Sequence, residues 1–162
     1  MKRVDNEEAG KSLALRLLIH YYGDIHQPLH SVGRYSQENP KGDKGGNGFE
    51  LKYHLGAKNM HSLWDSVLYT YRKTMHRPFS QDTWDFVGNI AWELLSQYQV
   101  TETEVETLDF DLFHHESFEL GVKIYDGLTE NGVVPQSYID KHVPEGKRRM
   151  VLAAHRLAFM LE

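Results

Sequence analysis

The chain is 162 residues long, with 40% apolar and 25% charged residues and a formal net charge of −5 at pH 7. That length suits one domain able to bury a core, and the acidic balance argues against coating nucleic acid through a basic stripe. The absence of cysteine excludes disulfides, thiolate metal sites and cysteine nucleophiles.

No apolar run approaches the ~20 residues that a membrane-spanning helix needs. After Met1 the segment KRVDNEEAGK is charged, so no signal peptide is expected, and no N-x-[ST] sequon occurs. Neither feature assigns a compartment. A phosphate substrate remains compatible with the acidic balance, because a bound divalent cation supplies its own positive charge.

In chain order, Leu13, Leu17, Leu18, Tyr21 and Ile25 recur at helical spacing between about Glu8 and Gln27, and Pro28 predicts the stop. On a helical wheel His20 and Asp24 fall on the side of Leu13 and Leu17, so the reading turns that stripe and the polar pair inward. Residues 31–48 read as an exposed loop punctuated by Pro40, Gly42, Gly45, Gly46 and Gly48. Phe49, Leu51 and Tyr53 alternate with polar residues and predict one short strand.

Asn59 is placed to cap a second helix running to about Arg72, with Met60, Leu63, Trp64, Val67 and Tyr71 inward. A third helix is expected from Ser80 to Tyr98, burying Trp84, Val87, Ile90, Ala91 and Leu94. A fourth covers Phe110 to Leu128. The last runs through Val151, Ala154, Leu157, Ala158 and Leu161 to the C-terminus. Five helices, barely any strand and no linker or repeat predict a single all-α bundle domain over residues 1–162.

Chemistry concentrates between His20 and Asp65, in HYYGDIHQPLH, DKGGN and NMHSLWD. His20 and Asp24 are four apart, as are His61 and Asp65, so each pair projects from one helix face. His30 follows Asp24 by six residues, after a proline. Imidazole plus carboxylate suits Zn²⁺ better than Ca²⁺ or Mg²⁺, which prefer oxygen shells. The bland alternatives are a buried hydrogen-bonded pair for His20 and Asp24, and a surface ion pair for His61 and Asp65.

Elsewhere the signals are weaker. His114 and His115 are adjacent and diverge by about 100° on a helix, so they read as structural. His54, His76, His142 and His155 stand alone. KGDKGG lacks the order of a phosphate-cradling P-loop. Lys147, Arg148 and Arg149 read first as a solvated face and second as a nucleic-acid guide.

The string LIHYYGDIHQPLH, followed by DKGGN and NMHSLWDS, resembles the S1/P1 nuclease family. These are zinc-dependent, mostly α-helical nucleases of single-stranded DNA and RNA that share their fold with zinc-dependent phospholipase C. The likeness is strong from Leu13 to Ser66 and weaker through HHESFEL and the final RLAFML.

The resemblance implies a cluster of up to three zinc ions. His20 and Asp24 match ligands of its paired half, with Asp24 as the bridging, catalytic carboxylate. His30, His61 and Asp65 match the protein ligands of the third ion, the one set complete in this chain. Asn47 matches a loop near the nucleotide and is offered as a substrate contact; His26 is not a family ligand and reads as a support to the site, a hydrogen bond to a ligand carboxylate being one form of it.

The family's other paired-zinc ligands lie earlier than this segment and have no counterpart here, so the chain looks like the C-terminal part of such an enzyme. The implied activity is hydrolysis of single-stranded DNA, RNA or nucleotides to 5′-phosphate products. A separate chain or a cleaved N-terminal segment would complete the cluster. The rival readings are a phospholipase C-like phosphodiesterase and a non-catalytic fragment or paralogue serving as a structural subunit.

Overall fold

The computed structural model describes residues 6–37, 39–54, 56–71 and 74–162. Helix α1 (Asn6–His26) leads into a 3₁₀ turn (Pro28–His30) and a long loop. Strands β1 (Glu50–His54) and β2 (Ala57–Asn59) form an antiparallel hairpin, followed by α2 (Met60–Asp65), α3 (Gln81–Gln97), α4 (Glu102–Val105), α5 (Phe110–Lys123) and α6 (Gln136–Leu161). The architecture is all-α, as the residue pattern predicts, with the hairpin as its only sheet among the described residues.

Local chemistry sets most of the boundaries. Gln27 accepts from Leu29 N at the start of the 3₁₀ turn, and Pro28 takes its first position, where a missing N–H costs nothing. Asn59 accepts from Ser62 N and caps α2. Thr101 and Glu104 close a reciprocal capping box on α4, a helix the periodicity does not reveal.

Two helices are shorter than expected. α2 stops at Asp65 because Val67, Leu68 and Tyr69 adopt positive φ and swing Leu68 into the core, where Leu68 N donates to Leu63 O. α5 stops at Lys123, and Gly127 turns the chain with φ of +85°. The expected end of α2 at Arg72, the facing of Tyr53 and the surroundings of His54 lie outside the described residues.

The core gathers Leu29, Phe49, Met60, Leu63, Trp64 and Ile124 beneath the hairpin. Trp64 Nε1 donates to Tyr138 Oη at 2.9 Å, and that hydroxyl donates to Ile124 O at 2.7 Å, so the indole is fixed between α5 and α6. A second cluster fixes α1. Arg156 of α6 is 0% exposed, makes a two-pronged pair with Glu116 of α5 at 2.8 Å on each oxygen, and donates to Glu104 O.

The inward stripes expected for α1 and α3 are corrected by the structure. Leu13 is 58% exposed and Tyr21 59%, with Leu17 also exposed, while Tyr22 and His26 face the interior. In α3, Trp84, Val87 and Ala91 are exposed and Ile90 half-buried, leaving Leu94 and Thr83 as the buried residues. In α6 the buried set is Tyr138, His142, Gly146, Val151, Leu152, Ala153 and Arg156, while Ala154, Ala158 and Leu161 are exposed. α1 meets α5 and α6, and the main partner of α3 among the described elements is α6, contacts that leave the apolar faces of both helices largely exposed.

Gly121 of α5 sits where the 3₁₀ turn crosses it, and a Cβ there would lie 2.7 Å from Val32 Cγ1 and 2.9 Å from Pro28 O. Gly121→Ala is therefore expected to destabilise by about 1–3 kcal/mol through overpacking. Gly88→Ala in α3, with nothing within 4 Å of its Cβ, should stabilise by about 0.5–1 kcal/mol. Urea midpoints of the two variants would check the contrast.

Candidate metal centre

Three short segments carry the candidate ligands, each braced differently. His20 and Asp24 lie one turn apart on α1, with His20 Nε2 3.2 Å from Asp24 Oδ2. His30 closes the 3₁₀ turn. Its Nδ1 is 3.9 Å from Asp24 Oδ2 and its Nε2 is 3.6 Å from Asp65 Oδ1. His61 Nε2 is 3.4 Å from Asp65 Oδ2. The five residues thus form one continuous line, His20–Asp24–His30–Asp65–His61.

Within that line, donor atoms of His30, His61 and Asp65 all lie within 4.8 Å of one another. Four ligands bound to zinc at about 2.0–2.1 Å in a tetrahedron stand ~3.3 Å apart, so slight closure around an ion satisfies this set. Among the described residues, the ion pairs of Asp24 and Asp65 are with imidazoles. Two carboxylates beside three nitrogen donors are the chemistry that draws a borderline divalent metal.

Supporting bonds fix the orientation of these side chains. His61 Nδ1–H donates to Gly45 O at 2.7 Å, which leaves Nε2 bare toward Asp65. Gln27 Nε2 donates to Asp65 Oδ1 at 2.7 Å while its Oε1 holds Leu29 N. Gln27 escaped the sequence reading. Its one visible signal is its place between the end of α1 and Pro28, where a side chain caps the turn that carries His30.

The other two candidate residues of this region make contacts of their own. His26 does not reach a ligand carboxylate: Nδ1–H donates to Tyr22 O, and Nε2 accepts from Arg156 at 3.0 Å. Its role is to tie the helix carrying His20 and Asp24 to α6, helped by Arg149 Nε donating to His26 O. Asn47 is exposed, and its amide nitrogen donates to Lys44 O, closing its own loop.

The basic run of α6 is ion-paired along its length. Lys147 meets Glu93, Arg148 meets Glu104, and Arg149 meets Glu116. His114 and His76 are exposed, His115 lies near Glu119, and His142 is buried against Tyr138. None of these joins the line of five.

A cavity of about 580 Å³ opens between α1 and α6 beside the line. Asp24, His30 and Asp65 form its polar side, and Gly146, Met150 and Ala153 its apolar floor. His20, whose side chain is 65% exposed, stands at its open end.

The family model described as S1/P1 Nuclease matches residues 1–162, and the chain belongs to that family. It is 30% identical to Endonuclease 2 of Arabidopsis thaliana over 152 residues, which cover 91% of this chain and 50% of that protein. Endonuclease 1 of the same plant is 29% identical over 153 residues, covering 91% and 48%. Nuclease S1 of Aspergillus oryzae is 42% identical over 53 residues, 33% of this chain and 16% of that enzyme. The chain spans about half the length of the two Arabidopsis relatives.

Burial, with the nearby Arg149 charge, pushes the His26 imidazole down from 6.5 to about 4. The folded value lies below the unfolded one, so the neutral ring contributes stability that is complete above pH 6.5 and is lost as pH falls from there through 4. Between pH 7 and pH 5 the loss should be roughly 2 kcal/mol. Urea titrations at the two pH values, run beside His26→Gln, would check it: the variant should lose less of its stability over that interval.

Proposed function

We propose that this chain forms the metal-binding part of a zinc-dependent phosphodiester hydrolase that acts on single-stranded DNA, RNA or nucleotides and leaves 5′-phosphates. The observation that carries the reading is the unbroken line of three imidazoles and two carboxylates beside an open cavity. The family membership supports it, and so do the relatives, which are named as nucleases and endonucleases.

In this reading His30, His61 and Asp65 hold one ion, and Asp24 lies between that ion and a paired position reached with His20. Zinc supplies Lewis-acid polarisation of a phosphate oxygen and activates water for attack at phosphorus. The chain's own residues orient these events. Gln27 keeps Asp65 turned to the ligand side, Gly45 O accepts His61 Nδ1–H and so turns Nε2 to that side too, and the apolar floor limits water around a bound nucleotide. A single strand suits the recess, because an unstacked base can enter it.

The paired position is completed by further polypeptide, joined to this segment or supplied separately. Two observations support that: the Arabidopsis relatives are about twice as long, and α1 exposes Leu13, Leu17 and Tyr21 along the stretch that ends at His20 and Asp24.

The chain alone should bind about one zinc ion tightly and hydrolyse substrate very slowly. With a polypeptide corresponding to the relatives' other half, it should bind up to three ions and release nucleotides from single-stranded DNA, but no diacylglycerol from phosphatidylcholine. His61→Ala and Asp65→Asn should each abolish the tight ion, and chelation should reduce nucleotide release to background. Zinc stoichiometry by mass spectrometry and nucleotide release by chromatography are the measurements. A chain that takes up no zinc would overturn the proposal.

A further inference from the structure

The loop after His30 is built as a wedge between two of the ligand-bearing segments. Gly45, at φ of +64°, lies so close to the 3₁₀ turn that a Cβ would stand 2.3 Å from Leu29 O, next to His30. Gly46 accepts from His61 N, and a Cβ there would stand 3.2 Å from both His61 N and Met60 Cβ. The same few residues therefore touch the turn carrying His30 and the first turn of α2. Between these contacts, Gly45 O receives His61 Nδ1–H.

Something has to hold this wedge still, and glycines at positive φ do not do so unaided. The anchor is Asp43, which is only 4% exposed despite its charge. Its Oδ1 accepts from Arg34 N at 2.9 Å, and its backbone N donates to Arg34 O while its carbonyl accepts from Gly48 N. Its Oδ2 accepts from Tyr125 Oη at 2.6 Å, across 82 residues of sequence. Tyr125 follows the end of α5, and its ring meets Phe49 edge-on. The bond joins the loop to the helical body, and neither partner is itself a candidate ligand.

We infer that Tyr125 and Asp43 are positioning residues for the metal centre: their hydrogen bond latches the loop whose Gly45 carbonyl fixes the His61 tautomer and so sets metal affinity at the His30–His61–Asp65 site. The inference rests on the metal-centre reading proposed above. It adds that the affinity of that site is controlled from the far side of the loop, by a phenol and a carboxylate that never meet the ion. Indirect partners of metal-bound histidines typically alter affinity by about 10–100-fold, so an effect of this size is expected from a tether one step further out only if the latch and His61 act as one unit.

The test compares wild type, Tyr125→Phe, Asp43→Asn and the double variant by Zn²⁺ titration against a chromophoric chelator. Each single variant should weaken zinc binding about 10-fold. The double variant should lose little more than either single one, because both cut the same latch. In zinc-free protein, the ¹⁵N shifts of His61 should report the Nδ1–H tautomer in wild type and a mixture in Tyr125→Phe. A merely structural phenol would not move that signature.

Unchanged affinity and tautomer in a folded Tyr125→Phe would overturn the inference, as would losses that simply multiply in the double variant. If Tyr125→Phe does not fold, Asp43→Asn, which keeps the side chain's shape, decides on the same two readouts. A wild-type chain that binds no zinc refutes the metal-centre reading instead, and the tautomer comparison then judges the latch by itself.

Discussion

The buried Arg156 guanidinium is the constraint on which the arrangement of helices depends. It is fully enclosed, and it reaches three other helices at once: Glu116 of α5, the Glu104 carbonyl at the end of α4, and His26 near the end of α1. A buried charge is tolerated only when paired and fully hydrogen-bonded, and this one also lies 4.1 Å above the Phe113 ring centroid. The network specifies geometry more than it adds stability, because it is satisfied only when all four helices are in place. Arg149 extends it to Ser117 and the His26 carbonyl.

The candidate metal centre draws on both that rigid body and a separate loop. His20 and Asp24 ride on α1, so their position is inherited from the Arg156 cluster. His61 and Asp65 ride on α2, whose indole Trp64 is held by Tyr138. His30 lies between, on a turn pressed by Gly121 of α5 from one side and Gly45 of the loop from the other. Pre-organisation of this kind gathers imidazoles and carboxylates from three segments, an arrangement that a divalent ion would tie together.

The exposed apolar faces of α1 and α3 belong to the same picture. Leu13, Leu17 and Tyr21 on one helix, and Trp84, Val87 and Trp92 on the other, are large side chains left in solvent by the described residues. Contiguous apolar surface of this sort usually marks an interaction face. On α1 it runs directly into His20, whose side chain is itself exposed. Among the described helices, none is long and apolar enough to cross a membrane.

Much of the candidate site was legible in the residues themselves. Histidine and aspartate four apart on a helix must share a face, Pro28 must end α1, and Asn59 must favour a helix start, all through local sterics and hydrogen bonding. Amphipathic spacing likewise identified the helices other than α4, but it states which face is apolar and not whether anything covers it. That is why Leu13 and Trp84 were expected inside and lie outside.

Only tertiary structure decided that His30 stands between Asp24 and Asp65, that Gln27 turns back onto Asp65, and that Tyr125 reaches Asp43. These contacts join segments whose separation in sequence carries no periodic signal. They form because burial leaves each polar group to find a partner among whatever the packing brings near.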